Sequence, residues 1–198
     1  LCISAIAFSQ QTTEVGDFSE LKVYDLITVK LVPSEENKVI VEGENTEFVK
    51  TINDNGVLKI RMELEERFDG DATTVTLYYK NISIIDANEG SEIFSETEIK
   101  APSLELKAQE GGKINVITAT ENLQVKSVSG SVIKAKGTSQ KQDININSGA
   151  GGSSTIYCSE KIEAKVTAGG NIKVYGNPKT IKKKKFAGGK IEIVKDEN

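Results

Sequence analysis

Apolar and polar residues alternate in short runs along most of the chain. In "LKVYDLITVKLV" apolar side chains recur at Ile27, Val29 and Leu31, and "KVIVEG" and "VLKIRM" repeat the pattern. Alternation with a period of two is typical of half-buried β-strands. The turn signal "NDNG" precedes the third run, and no stretch keeps apolar residues at helical spacing for three turns. The sequence therefore predicts an all-β protein with a strand-rich N-terminal part over residues 18–80.

From residue 82 to residue 194 a glycine-containing unit repeats about every 20 residues. Each unit has a strand, a Gly-Gly or Gly-Ser pair, a second strand and a connection. The pairs begin at Gly90, Gly111, Gly130, Gly151, Gly169 and Gly188. A fixed period of this size is typical of a solenoid, and glycine suits its tight turns because a positive φ costs glycine little. These repeats predict a right-handed parallel β-helix.

The repeats also align their apolar residues in two columns, in which like branched side chains would stack from coil to coil. The first core residue after each turn is predicted to be Ile93, Ile114, Ile133, Ile156, Ile172 or Ile191. The strand before each of the last five turns is predicted to begin at Leu104, Leu123, Ile144, Ile162 or Ile181. An up-and-down antiparallel sheet is the alternative, because hairpins also alternate strands and glycine turns.

Several segments together carry a family resemblance. The stretch "VYDLITVKLVPSEENKVIVEGENTEFVKTINDNGVLKIRM", the glycine repeats and the ending "GGNIKVYGNPKTIKKKKFAGGKIEI" resemble the putative auto-transporter adhesin, head GIN domain family, over about residues 18–194. This resemblance implies a β-helical, exported envelope or surface protein of a kind common in Bacteroidetes, with one domain over residues 10–198. It brings an adhesin label and no catalytic residues. The turns here lack the Asp of the family's usual Gly-Ser-Gly-Asp, so turn-bound calcium is not expected.

The opening "LCISAIAFSQ" reads as the tail of a secretory signal peptide. Residues 1–8 are apolar, and the small residues Ala7 and Ser9 favour cleavage before Gln10. A buried first strand is the alternative. Cleavage of the signal peptide would remove residues 1–9, which include Cys2, so that Cys158 remains as a lone thiol. Export would place the protein in the periplasm, on the outer-membrane surface or outside the cell.

Composition argues against several classes of function. The chain has no His, which removes the usual catalytic base and the commonest metal ligand. Its net charge of −4 argues against a nucleic-acid partner. The glycine pairs precede strands and not helices, so they are not phosphate loops. No cofactor or metal is expected, although "FDGDA" leaves a lone cation site open. The acids of the repeats do not share a column on adjacent coils, which argues against a polysaccharide-cleaving site. A carbohydrate-active β-helix enzyme is the alternative to a non-catalytic binding protein.

Two groups of residues are candidates for ligand binding. Tyr157 and Tyr175 are predicted to point outward from neighbouring strands, with Asn177 close by, and such aromatic side chains suit a glycan or another cell-surface or matrix ligand. In the lysine run, Lys182 and Lys184 are predicted to point outward, where an anionic partner such as lipid A phosphate or an acidic glycan could bind.

The other two lysines of the run align with core positions. Matching "IEAKVTAGG" with "IKKKKFAGG" places Lys183 opposite Ala164 and Lys185 opposite Val166. Because burying two ammonium groups is costly, the sequence predicts a polar cap at the last coil. Self-association through the flat sheets or through an open end, which would make a homo-oligomeric envelope module, is left open.

Overall fold

The computed structural model describes residues 11–63, 65, 68–137 and 143–194. These residues contain strands, turns and a short 3₁₀ turn at Thr46–Phe48, with no α-helix and no helix that is long and apolar enough to cross a membrane. The signal-peptide prediction for residues 1–9 lies outside the described residues. The strands are β1 (Gln11–Glu14), β2 (Glu20–Val23), β3 (Thr28–Pro33), β4 (Lys38–Gly43), β5 (Val49–Asp54), β6 (Val57–Met62), β7 (Thr73–Tyr79), β8 (Ile84–Ala87), β9 (Glu92–Ala108), β10 (Lys113–Ser127), β11 (Val132–Gly137), β12 (Asp143–Gly149), β13 (Ser153–Tyr157), β14 (Lys161–Thr167), β15 (Asn171–Tyr175), β16 (Thr180–Phe186) and β17 (Lys190–Val194).

Successive repeats stack as parallel strands and form a β-solenoid, which confirms the predicted fold class and excludes the antiparallel alternative for the repeats. Strands before the glycine turns form a pre-turn sheet of β8, the second halves of β9 and β10, β12, β14 and β16. Strands after the turns form a post-turn sheet of the first halves of β9 and β10, β11, β13, β15 and β17. Residues 98–101 and 117–120 pair as a short third side.

The predicted columns keep their register with one exception, but at the last coil Ile181 is exposed and Ile191 is only half-buried. Leu104, Leu123, Ile144, Ile162 and Ile181 follow one another in register along the pre-turn sheet. In the post-turn sheet, Ser154 and not Ile156 lies between Ile133 and Ile172. A buried serine is tolerated there because its hydroxyl lies 2.8 Å from that of Ser127, and Ser127 in turn bonds Ser148 at 3.0 Å. Ile156 occupies the next inward column, beside Ala135 and Val174.

The N-terminal part both continues and caps the solenoid, but not in chain order. Strands β2 and β3 lie inside the stack, between β6 and β8 in one sheet and between β7 and β9 in the other. Antiparallel strands cover the end of the stack, with β5 on β6, and β4 on β7 followed by β1. The coil of β6 and β7 therefore lies beyond the coil of β2 and β3. The first coil of the chain is thus stacked between the second and the third, which begins with β8.

The run "LKVYDLITVKLV" is not one continuous strand, contrary to the simplest reading of its alternation. It turns at Asp25 and Leu26, whose φ angles of 57° and 64° are left-handed. The six repeat turns use the same pair of positive angles, with glycine second in each, for example Glu110 at 53° and Gly111 at 78°. The Asp25 carboxylate accepts a 3.1 Å hydrogen bond from the Met62 backbone N–H, which holds this turn without a glycine.

Asp86 is a buried carboxylate on the outward side of the pre-turn sheet, in register with Lys22 and Lys107. Burial raises the pKa of Asp86, and the attraction of the two lysines only partly offsets this effect. Folding therefore disfavours the charged Asp86 carboxylate. As a result, Asp86 lowers the free energy of unfolding at pH values above its pKa in the folded protein. This loss disappears as the pH falls below the ordinary Asp value of about 3.9.

Asp86→Asn is accordingly expected to raise the free energy of unfolding at about pH 7, and the gain should vanish at about pH 3. Urea titrations of the parent and the variant at both pH values measure this difference. A gain of the same size at both pH values would show that the charge of Asp86 is not its cause.

Candidate ligand surface

Tyr157 and Tyr175 lie side by side at the ends of β13 and β15. They are direct partners in the parallel register, on strands about 4.8 Å apart. Both side chains lie on the outer face of the post-turn sheet, and Tyr157 is 40% exposed. The structure thus places the two tyrosines outward on neighbouring strands, as the sequence predicted.

These tyrosines form one wall of a surface groove of about 430 Å³, which we call the tyrosine groove. Its size falls in the range of small-ligand sites. Polar and apolar groups both line it. The lining residues are Asn115, Lys134, Ala135, Lys136, Gly137, Thr155, Ile156, Tyr157 and Tyr175.

Three polar side chains of the groove, Asn115, Lys134 and Thr155, come from one outward column of the post-turn sheet, and Lys136 lies two residues further along β11. Asn115 pairs with Lys134, which pairs with Thr155, and Thr155 pairs with Lys173. Sequence reasoning missed this contribution, because residues 19 to 21 positions apart meet only when the exact inter-coil register is known. The signal that could have found them is the period of the glycine turns, applied to outward positions as well as to the core.

Two further contacts position the tyrosine rings. The ammonium of Lys173 lies 5.0 Å from the ring centroid of Tyr175, and its hydrogen bond with Tyr175 raises the pKa of Lys173. Gly176 lies against the other ring, where an added Cβ would come within 3.2 Å of Tyr157 Cζ. The absence of a side chain at Gly176 therefore leaves room for the ring of Tyr157.

The other candidate residues lie apart from the groove. Asn177 is exposed in the turn after β15 and is not among the lining residues. Cys158 is fully buried, with its Sγ 3.4 Å from the Lys161 carbonyl oxygen. Burial makes Cys158 part of the core and not a reactive surface thiol. Lys182 and Lys184 are on β16 in the pre-turn sheet, so the structure does not join them to the tyrosines.

The lysine run lies on the last strand of the pre-turn sheet. Lys183 and Lys185 pair with Ala164 and Val166, as the alignment predicted. Both are exposed, because within the described residues no strand pairs with the outer side of β16 or β17. Ile181 and Phe186, at the two ends of β16, are also 41% and 57% exposed. This end of the stack, the lysine end, is therefore polar at two core-facing positions.

The outward lysines of the same strand make ordinary surface contacts. Lys182 donates to Glu163 at 2.9 Å, and this bond lowers the pKa of the Glu163 carboxyl.

Among the described residues no three His, Cys, Asp or Glu side chains are grouped so that they could hold a metal ion. The tyrosine groove is the described pocket that both predicted tyrosines line.

The sequence matches a known protein family. The family model of the putative auto-transporter adhesin, head GIN domain, matches residues 17–151. The chain belongs to this family. A search of the curated proteins finds no match.

Solved structures share the fold of this GIN-domain protein. A putative adhesin from Bacteroides fragilis is 14% identical, with a TM-score of 0.76 over 96% of this chain and 98% of its own. A putative adhesin from Parabacteroides distasonis, also 14% identical, has a TM-score of 0.56 over 95% and 97%. A putative lipid binding protein from the same species is 14% identical, with a TM-score of 0.52 over 94% and 96%. At this identity the likeness shows the fold alone.

Proposed function

We propose that this GIN-domain protein is an exported, non-catalytic binding protein of the cell envelope, and that its tyrosine groove binds a carbohydrate. The observation that carries the proposal is the pair formed by Tyr157 and Tyr175 on adjacent strands. The C–H face of a sugar ring is apolar and packs on a phenol ring, while its hydroxyls need polar partners. Asn115 and Thr155 supply such partners from the groove itself.

The arrangement of acidic side chains supports a non-catalytic role. Glycoside hydrolysis needs two carboxyl groups facing one another across a sugar. In the strand pairings of the described residues, acids lie opposite lysines or neutral residues and never opposite another acid. Glu192, for example, pairs with Lys173, and Asp86 lies between Lys22 and Lys107. The tyrosine groove itself has no carboxylate among its lining residues.

A glycan array with the purified chain, followed by calorimetry on any oligosaccharide that binds, tests the proposal. Tyr157→Ala is expected to weaken that binding by about tenfold, because buried aromatic contacts contribute about 1–2 kcal/mol to such sites. The fold should survive, since the ring is 40% exposed and lies outside the core.

Tyr78→Ala is a matched control for this variant. Tyr78 is also half-buried on the outer face, and the ammonium of Lys38 lies 5.3 Å from its ring centroid. It is on β7, away from the groove, so its loss should leave binding unchanged. An array on which no carbohydrate binds, or equal losses from the two tyrosine variants, would overturn the assignment of the groove.

A further inference from the structure

The charged side chains around the tyrosine groove are all lysines. Lys134 and Lys136 line the groove, and Lys173 lies over the ring of Tyr175. Lys134 and Lys136 lie on one strand two residues apart, so both project from the same face of the sheet. The groove thus combines aromatic faces with a single sign of charge, and such a surface favours a partner of the opposite sign.

The two lysines that line the groove are not paired with acidic side chains of the described residues. Some lysines of the solenoid do lie against carboxylates, as Lys107 does at 3.2 Å from Glu105 and Lys30 at 2.6 Å from Glu96. In the part of the chain that the structure describes, no carboxylate lies within 4 Å of the ammonium of Lys134. The same holds for Lys136.

The acid nearest in register is already engaged. Glu192 is the strand partner of Lys173, and its carboxylate accepts a 2.7 Å hydrogen bond from Lys190. Glu192 also attracts Lys173, so β17 offsets part of that charge, but it does not balance Lys134, which lies three strands away in the same column. A negatively charged ligand would supply that balance and would form charge-assisted hydrogen bonds with the ammonium groups.

We propose that the tyrosine groove binds an anionic carbohydrate, with a sugar ring on Tyr157 and Tyr175 and its carboxylate or sulfate held by Lys134 and Lys136. This inference rests on the proposed function, because it names the class of glycan for the same groove. A neutral sugar would use the rings, Asn115 and Thr155 but would offer the two ammonium groups only uncharged hydroxyl acceptors. The groove therefore discriminates by charge, and its tyrosines supply affinity that both classes share.

Calorimetry with trigalacturonate and with its methyl ester separates these two contributions, because esterification removes the carboxylate charge and adds only a methyl group at each position. Trigalacturonate is expected to bind about tenfold more tightly, which corresponds to two favourable charge contacts. A galactose oligosaccharide with and without sulfate forms the second arm, so that carboxylate and sulfate specificity are told apart. Raising NaCl from about 50 mM to about 500 mM should remove the preference for the charged member of each pair.

The double variant Lys134→Gln, Lys136→Gln is expected to abolish the preference for the charged probes while it retains binding of the neutral ones. The double variant Lys100→Gln, Lys126→Gln removes the same charge from exposed positions outside the groove and should leave the preference intact. Circular dichroism shows that each variant keeps its β-structure.

Each outcome has one meaning. Equal affinity for the charged and neutral members of both pairs would overturn the anionic assignment and leave the carbohydrate site standing. Equal loss of preference in the two double variants would also overturn it, because the effect would then come from net charge and not from the groove. Failure of every probe, charged or neutral, would overturn the proposed function and this inference with it.

Discussion

Replacing Gly112 by valine is expected to lower the free energy of unfolding by about 3 kcal/mol or more. Gly112 follows the turn between β9 and β10, where an added Cβ would overlap the backbone carbonyl of Ala87 in the preceding coil. Relief of this overlap requires the two coils to move apart. That movement would weaken the parallel hydrogen bonds on both sides of the turn, such as the 2.8 Å bond from Lys113 N to Ser91 O.

Serine at the same position tests this explanation. Ser91 and Ser131 hold the equivalent position in the neighbouring coils, and each donates to a carbonyl oxygen of the preceding coil, that of Val23 at 3.0 Å and that of Ala108 at 2.7 Å. Gly112→Ser can form the same bond, whereas valine cannot. The Cβ of serine overlaps the Ala87 carbonyl as that of valine does, so Gly112→Ser is also expected to be destabilising, but less than Gly112→Val because of this hydrogen bond.

Gly130→Asn is a control for glycine replacement in general. Gly130 has a φ of 73°, and no atom lies within 4 Å of an added Cβ. Asparagine tolerates this left-handed conformation better than other residues with a side chain, so a small loss is expected. Urea unfolding measures all three variants. A loss from Gly112→Val no larger than that from Gly130→Asn would contradict the overlap with Ala87 as the cause.

Changing Lys183 and Lys185 together to isoleucine is expected to raise the average mass in solution while the fold is kept. Both side chains occupy core-facing positions of β16, and Ile191 and Ile193 on β17 are half-buried at the same end. The variant would turn a polar end into a continuous apolar edge with unpaired backbone groups. Such edges pair with other chains, and charged side chains on an edge strand prevent this.

Light scattering after size-exclusion chromatography at several protein concentrations measures the effect. The double variant Lys182→Ile, Lys184→Ile has the same composition but changes outward positions, so it should associate less. Thermal unfolding shows that both variants stay folded. If the Lys183 and Lys185 variant keeps the parent's mass at every concentration, the lysine end does not act as a polar cap.

Local patterns in the sequence were sufficient for much of this fold. Alternation of apolar and polar residues with a period of two indicates a strand, and a repeat of about 20 residues indicates a coil. The glycine turns and the columns through Leu104 and Ile114 could therefore be predicted. Aligning the repeats also placed Lys183 and Lys185 at core-facing positions and the two tyrosines outward. These inferences need only the spacing of residues along the chain.

Other features depend on contacts between distant segments and were not visible in the spacing. The turn at Leu26 lacks glycine and is held by a hydrogen bond that the Met62 backbone N–H donates to Asp25, 37 residues away, so the spacing of residues predicts a continuous strand there. Ser154 replaces an apolar residue in its column because its hydroxyl bonds that of Ser127, which in turn bonds Ser148. The insertion of β2 and β3 between later strands is likewise a matter of tertiary pairing.

The candidate site shows the same division. Alternation alone directs Tyr157 and Tyr175 outward, because successive side chains of a strand point to opposite faces. Lys134, Lys136 and Asn115 join them only through the exact register of neighbouring coils, which depends on backbone hydrogen bonds across the stack. The amino-acid pattern therefore specifies which side chains face solvent, and the stacking of the coils specifies which of them can contact one ligand together.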